Sequence, residues 1–204
     1  MLIDFEKIRP NQRYATVTQT LIPRPVAWIL SENEDGSFNL APFSYFNAVA
    51  SDPPLLMISI GRRPDGSLKD THRNIERSGQ FVIHIPAYSQ AEAVNNSSAT
   101  LAAGESEVDQ LELETCDFPG SSLPRIKNAP VAYACDTFQI QAIGSTPMAL
   151  ILGEIKQVFV DDSLVTQQKN GRINIDAGRL DPLARLGGIE FAQLGESLSL
   201  DRPG

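Results

Sequence analysis

Lys69, Asp70 and Thr71 open a stretch of helical character directly after a polar loop that carries Arg62 and Arg63. The start of a helix presents N–H groups without intrahelical partners and the positive end of the backbone dipole. A lysine and a hydroxyl placed there, with arginines just upstream, can seat a phosphate or a similar anion. An ordinary capped surface helix would use the same residue types, because Ser, Asp and Thr begin most helices. A second concentration lies upstream. Ser44, Tyr45, Phe46, Asn47, Ala48, Val49, Ala50 and Ser51 mix aromatic, amide and hydroxyl groups more densely than a plain core needs, and Trp28, the only tryptophan, precedes them on a short apolar run.

Other chemistries find little support. Neither GxGxxG nor GxxxxGK[ST] occurs, so nothing points to a Rossmann dinucleotide site or a P-loop. His72 and His84 are the only histidines. Neither has a Cys, His or paired acid at metal-ligand spacing, and neither sits in a nucleophile motif, so no metal and no hydrolytic centre is expected. His84 is expected on the exposed face of an edge strand and His72 on the solvent side of a helix. Cys116 and Cys135 are too far apart for a CxxC motif and are expected as reduced thiols.

The elements that must position these groups read as follows. Val26 to Leu30 is a short strand, and Glu34-Asp35-Gly36 supplies the turn of a hairpin that returns through Phe38 to Ala41. Asp52-Pro53-Pro54 interrupts ladder pairing before a buried strand over Leu55 to Ile60. The helix that starts at Lys69 runs to about Ser78, where Gly79 ends it. Pro10 suits a first helical turn, which predicts a helix over Asn11 to Thr20 that Pro23 and Pro25 stop. Gln80 to Ile85 reads as a strand, and Tyr88 to Asn95 as a short helix with Ser89 as its cap. Thr137 to Ala142 alternates apolar residues with glutamines, the period of a half-buried strand. Ala149 to Lys156 forms another, Asn170-Gly171 signals a hairpin between Val165 and Ile175, and Ile189 to Leu194 reads as a short closing strand. Between Gly104 and Asp117 stand Glu105, Glu107, Asp109, Glu112, Glu114 and Asp117 without one Lys or Arg, which predicts an exposed, solvated excursion, with a lid or substrate-side loop as the alternative.

Taken in order, Pro23-Arg24-Pro25-Val26-Ala27-Trp28, Asn39 to Val49, Asp52-Pro53-Pro54, and Lys69-Asp70-Thr71 with Asn74-Ile75 resemble the flavin reductase-like, FMN-binding split-barrel family. The resemblance continues through Pro130-Val131, Leu152-Gly153-Glu154 and Pro182 to Gly188. It implies a mainly β fold, an antiparallel Greek-key split barrel with a few peripheral helices, as a single domain over residues 1–204. Strand spacing alone also permits a β-sandwich or an OB-like barrel.

The resemblance further implies FMN, in preference to FAD. Ser44, Tyr45, Phe46, Asn47, Ala48 and Val49 would line the isoalloxazine and ribityl chain, with Asn47 and neighbouring N–H groups as polar contacts. Lys69, Asp70 and Thr71 would mark the phosphate end, with Arg24 and Arg62 as lesser contacts. Trp28 stands either against the ring or in the core or an interface. NADH or NADPH would give hydride to the flavin, and the electrons would leave to free flavin or another acceptor. No side chain is expected as catalytic acid or base, because the flavin itself carries the chemistry. The alternative is a non-catalytic electron carrier that meets an acceptor protein, and a third reading is a flavin-free binding module. A homodimer that completes the flavin site at a two-fold interface is expected.

Composition fits these expectations. With 204 residues, 42% of them hydrophobic, the chain can bury a substantial core at the size of one domain. Its net charge of -8 and pI near 4.8 repel nucleic acid and anionic lipid, so neither is expected as a partner. In that acidic field the cations Arg62, Arg63 and Lys69 read as a small anion site. The first residues, Met1 to Lys7, carry acids where a signal peptide needs cations, and no apolar run approaches membrane-spanning length, which predicts a cytoplasmic location.

Overall fold

A computed structural model describes residues 1–102, 105–167, 173–201 and 203. In chain order the elements are α1 (Pro10–Thr20), β1 (Arg24–Pro25), β2 (Ala27–Glu32), β3 (Phe38–Phe43), β4 (Phe46–Ser51), β5 (Pro54–Gly61), α2 (Asp70–Ser78) and β6 (Gln80–Ile85). There follow α3 (Ala91–Asn96), α4 (Glu107–Gln110), β7 (Thr115–Cys116), β8 (Arg125–Ile126), β9 (Val131–Ala142) and β10 (Met148–Val160). The chain ends with β11 (Val165–Gln167), β12 (Ile173–Ile175), α5 (Ala177–Leu180), β13 (Ala184–Arg185) and β14 (Phe191–Ala192). β11 and β12 pair as the hairpin expected there, while its Asn170-Gly171 turn lies outside the described residues. Among the described residues no helix is long and apolar enough to cross a membrane.

Seven strands form one antiparallel sheet in the order β3-β2-β6-β9-β10-β5-β4. Its two edges, β3 and β4, are consecutive in the chain and separated only by Ser44 and Tyr45. The sheet must therefore curl to bring its two edges together, and there the Tyr45 carbonyl extends the β4-β5 ladder by accepting a 2.9 Å hydrogen bond from Ser59 N. This is the antiparallel Greek-key split barrel predicted from sequence, with the split at Ser44 and Tyr45.

β2 shows why the pattern was hard to read as alternation. Ala27 and Ile29 point into the barrel with Ile58, Ile60, Ile83 and Ile151, closed at one end by Ile75 of α2. Val26, Trp28 and Leu30 point outward but are equally covered, by Val94 of α3, Val108 of α4 and Phe118, Leu123 and Ile126. A strand buried on both faces reads as a continuous apolar run. The same holds for the first half of β9, where Val131, Ala132, Ala134 and Cys135 are buried, so this strand begins well before the alternating Thr137 to Ala142. β10 bends at Gly153, where the register shifts and an added Cβ would sit 2.5 Å from the Phe81 ring.

The outer core overturns several expectations. His84 is not on an edge: β6 lies between β2 and β9, and the imidazole is fully buried. Ile126 N donates to its Nε2 at 2.9 Å, which leaves Nδ1 to donate to the Trp28 carbonyl at 2.9 Å. Burial is the main reason its pKa falls to about 4. His72 is buried too, at 7% exposure, because its face of α2 turns toward the barrel. Trp28 belongs to the core, its Nε1 donating to Ser97 Oγ at 2.8 Å. The acidic excursion is only partly solvated. Ser106, Glu107 and Val108 are buried against β3, where Ser106 Oγ donates to the Phe38 carbonyl and Leu40 N donates to Glu107 Oε2. This covers an edge strand that would otherwise offer unpaired N–H and C=O groups. Ser89 does not cap α3, since a 3-10 turn over Tyr88–Gln90 precedes it. Cys116 and Cys135 are free thiols, and burial pushes that of Cys135 up to about 12.

Candidate functional site

A cleft of about 360 Å³ opens at the split of the barrel. Phe43, Tyr45, Met148 and Phe191 supply flat or apolar walls, and Ser44, Ser59, Asn95 and Ser98 supply polar groups. Lys69 and Arg185 are the cations that border it. Two smaller hollows adjoin the cleft. One, of about 110 Å³, shares Pro42, Phe43, Lys69 and Ser98 with it; the other, of about 140 Å³, shares Tyr14, Ser44 and Arg185. The two hollows have no lining residue in common, so the cleft has two distinct ends.

The first end is built by the start of α2. Lys69 occupies the N-cap position in extended conformation, and no side chain caps the helix, so its first-turn N–H groups keep no such partner. Lys69 Nζ lies 5.5 Å from the centre of the Phe43 ring. Thr71 is buried, its Oγ1 accepting from Asn39 Nδ2 at 2.9 Å, which leaves the hydroxyl proton for another acceptor. The Asp70 carboxylate is taken up by Arg63 on one oxygen and by Arg73 on the other, at 3.1 Å. Asp70 therefore contributes to an anion seat through its N–H rather than its side chain.

The second end depends on Arg24. This guanidinium is 5% exposed and donates to the carbonyls of Thr18, Leu21 and Leu186 and to Ser44 Oγ at 3.3 Å. It thereby ties α1 and the Leu186 loop to the split. Around it stand Tyr14 and Tyr45, with ring centres 6.5 Å apart, and Arg185, whose guanidinium lies 4.4 Å above the Phe191 ring. Burial first, and then the neighbouring Tyr14, push the Tyr45 phenol up, which keeps it a neutral hydroxyl at neutral pH.

Of the residues singled out from sequence, Ser44, Tyr45 and Lys69 line the cleft, and Lys69, Asp70 and Thr71 line the first hollow. Arg24 lines the second hollow with its donors turned to carbonyls. Phe46 points into the barrel core. Asn47, Ala48 and Val49 are exposed along the edge strand β4, with Asn47 Oδ1 accepting from Ala48 N. Arg62 stands outside the cleft and donates to the Gly66 carbonyl. Sequence reasoning did not single out Tyr14, Met148, Arg185, Phe191 or Glu107 for the site. Two of them carried a signal: Arg185 falls within the Pro182 to Gly188 segment of the family resemblance, and Glu107 within the acidic segment that could also read as a lid or substrate-side loop. Among the described residues no three potential metal ligands come together.

The profile of a family described as flavin reductase like domain matches residues 19–173. A protein of Halalkalibacterium halodurans is 35% identical over 207 residues, covering 100% of this chain and 97% of its own. Among solved structures, nitrilotriacetate monooxygenase component B from Bacillus cereus superposes with a TM-score of 0.90 at 35% identity, covering 98% of each chain. The 2-nitrobenzoate 2-nitroreductase of Pseudomonas fluorescens superposes with a TM-score of 0.88 at 27% identity, covering 100% of this chain and 96% of its own.

Proposed function

The chain belongs to the flavin reductase-like family, and from that premise we propose that it is an FMN-binding oxidoreductase that takes electrons from NADH or NADPH and passes them through flavin to free flavin or another acceptor. The observation that carries this reading is the cleft at the split with its small side hollow. About 360 Å³ lies within the roughly 300 to 1,000 Å³ of small-molecule sites, and its aromatic walls suit a planar ring. The side hollow of about 110 Å³ is the space of only about three or four waters, too small for a whole ligand and suited to a compact polar group such as a phosphate.

Bound flavin supplies the redox chemistry, accepting hydride and passing electrons on. The chain's residues hold and shield it. Lys69, the Thr71 hydroxyl and the first N–H groups of α2, Asp70 included, would take the phosphate. Ser44 and Tyr45, fixed by Arg24 and by Ser59 N, would meet the ring and ribityl chain. Asn47, Ala48 and Val49 continue the same wall along the unpaired edge strand. A second copy laid against that edge would close the open side of the cleft, and Val49, at 54% exposure, would lie in the interface. A monooxygenase partner and a nitroaromatic acid are the acceptors that the names of two relatives suggest for trial.

Anaerobic mixing of the FMN-loaded protein with NADH and with NADPH tests the reading. Bleaching of the flavin absorbance faster than free FMN is reduced is the expected result. If neither donor bleaches it, while a photoreduced sample still passes electrons to a partner protein, the electron-carrier reading replaces this one.

A further inference from the structure

The side hollow at Lys69 contains a carboxyl that an anion seat does not need. Glu107 lines it together with Asn39, Arg63, Lys69, Asp70 and Thr71. The residue is 8% exposed, and its Oε2 accepts from Leu40 N at 2.9 Å. The groups that face it are Lys69 and Asp70 from the start of α2, Arg63 from the preceding loop and the neutral Asn39 of β3. On its own segment, Glu105 and Asp109 are exposed. Arg63 is already paired with Asp70. Arg73 shares Asp70 with it, so with Glu107 ionised three cations stand against two carboxylates, and a phosphate would enter beside a carboxylate that cancels one of those charges.

We infer that Glu107 controls what enters this hollow: as a neutral acid it donates a hydrogen bond to a phosphate oxygen, and as a carboxylate it repels the phosphate, so a phosphorylated flavin binds with uptake of a proton onto Glu107. This rests on the flavin reading above. Burial, the leading influence, and more weakly Asp70 favour the neutral form, against the Leu40 N–H, the residue's own N–H and Arg63. A phosphate dianion beside the carboxyl would favour that form further, so each step reinforces the other. Affinity for the phosphate then falls as pH rises through the free-state titration of Glu107.

Riboflavin, which lacks the phosphate, is the control. The ratio of FMN to riboflavin affinity, read by quenching of flavin fluorescence between about pH 5.5 and 8.5, should fall in the wild type by up to about tenfold per pH unit wherever pH lies above the free-state titration of Glu107. In E107Q, whose amide oxygen can still accept from Leu40 N, the ratio should keep only the trend set by the phosphate's own titration near about pH 6, and FMN should bind more tightly than in the wild type at the alkaline end. Calorimetry on the wild type in two buffers of different ionisation heat should give up to about one proton taken up per FMN and none per riboflavin, a measurement that stands even if E107Q does not fold. Identical pH profiles for wild type and E107Q, or FMN binding without proton uptake, would overturn the role of Glu107 and leave the phosphate seat intact. Equal affinity for FMN and riboflavin at every pH would instead remove the seat, and the inference with it.

Discussion

The two ends of the cleft are built on different plans. At the Lys69 end the polar and charged groups that would meet an anion come from one run: β3, the loop after β5 and the first turn of α2 lie within residues 38–71, while the segment from Ser97 to Leu101 and Glu107 close the hollow from elsewhere in the chain. At the Arg185 end, Tyr14 comes from the first helix, Ser44 and Tyr45 from the split, and Arg185 and Phe191 from the last strands. These pieces are far apart in sequence, and two devices join them: the small sheet β1-β13-β14, which sets Arg24 opposite Arg185, and a buried guanidinium with four acceptors on three segments. A binding end assembled from one stretch can be tuned residue by residue. An end assembled from distant segments depends on the pairing and the brace that join them.

The strongest way to break that contrast is R24A. It strands three carbonyls and the Ser44 hydroxyl, and hydrogen bonds to a charged group are worth about 1.5 to 3 kcal/mol each without being additive. A loss of at least about 3 kcal/mol in urea unfolding is expected, with weakened binding of both FMN and riboflavin. An R24A protein as stable as the wild type would show that the brace is dispensable.

Acid should act on both ends together, because it reaches the barrel itself. His84 has a folded pKa of about 4, below the ordinary 6.5. Above pH 6.5 neither state is charged and the residue adds no pH dependence. Between 6.5 and 4 the unfolded chain binds the proton and the folded one does not, so stability falls as pH falls, by roughly 3 kcal/mol in all, and the dependence then levels off. Replacing His84 by Gln should flatten the stability profile over that window. A wild-type profile that is already flat there would contradict the neutral, doubly hydrogen-bonded imidazole.

K69A tests the local end alone. Loss of one charge-assisted contact predicts roughly ten- to hundredfold weaker FMN with little change for riboflavin, measured by fluorescence titration. Here sequence and structure meet most closely: Lys69, Asp70 and Thr71 stand where an uncapped helix start places them, and Gly79 ends the helix in the left-handed conformation expected of it. What could not be read from sequence has physical causes. Asp70 is placed at the helix start by sequence, but that its carboxylate is held by Arg63 and Arg73, leaving only its N–H to face an anion, is not legible there. His84 looks exposed because a strand next to polar turns reads as an edge, and only the sheet order reveals the cover over it. Glu107 sits in a run of acids whose other members are solvated, and nothing in that run marks the one that turns inward onto Leu40. Arg24 lies between prolines, where its reach to the carbonyl of Leu186 is invisible.

The smallest expected effect carries the sharpest discrimination. Lys69 and Arg185 both border the cleft, and charge alone does not say which receives the phosphate. Arg185 is half-buried, lies flat over Phe191 and already donates to the carbonyls of Gly188 and Glu190, so its guanidinium is committed to shaping the wall. The Lys69 ammonium has no hydrogen-bond partner among the described residues, and Lys69 stands at a helix start. R185A should therefore cost about 0.5 to 1 kcal/mol of stability through the lost ring contact and weaken FMN and riboflavin by the same small factor, leaving their ratio unchanged. R185K should behave like R185A, since an ammonium keeps the charge but not the planar stacking. If instead R185A lowers FMN affinity alone and R185K restores it, the phosphate lies at the Arg185 end, the flavin runs through the cleft in the opposite direction, and the hollow beside Glu107 is open to the second substrate.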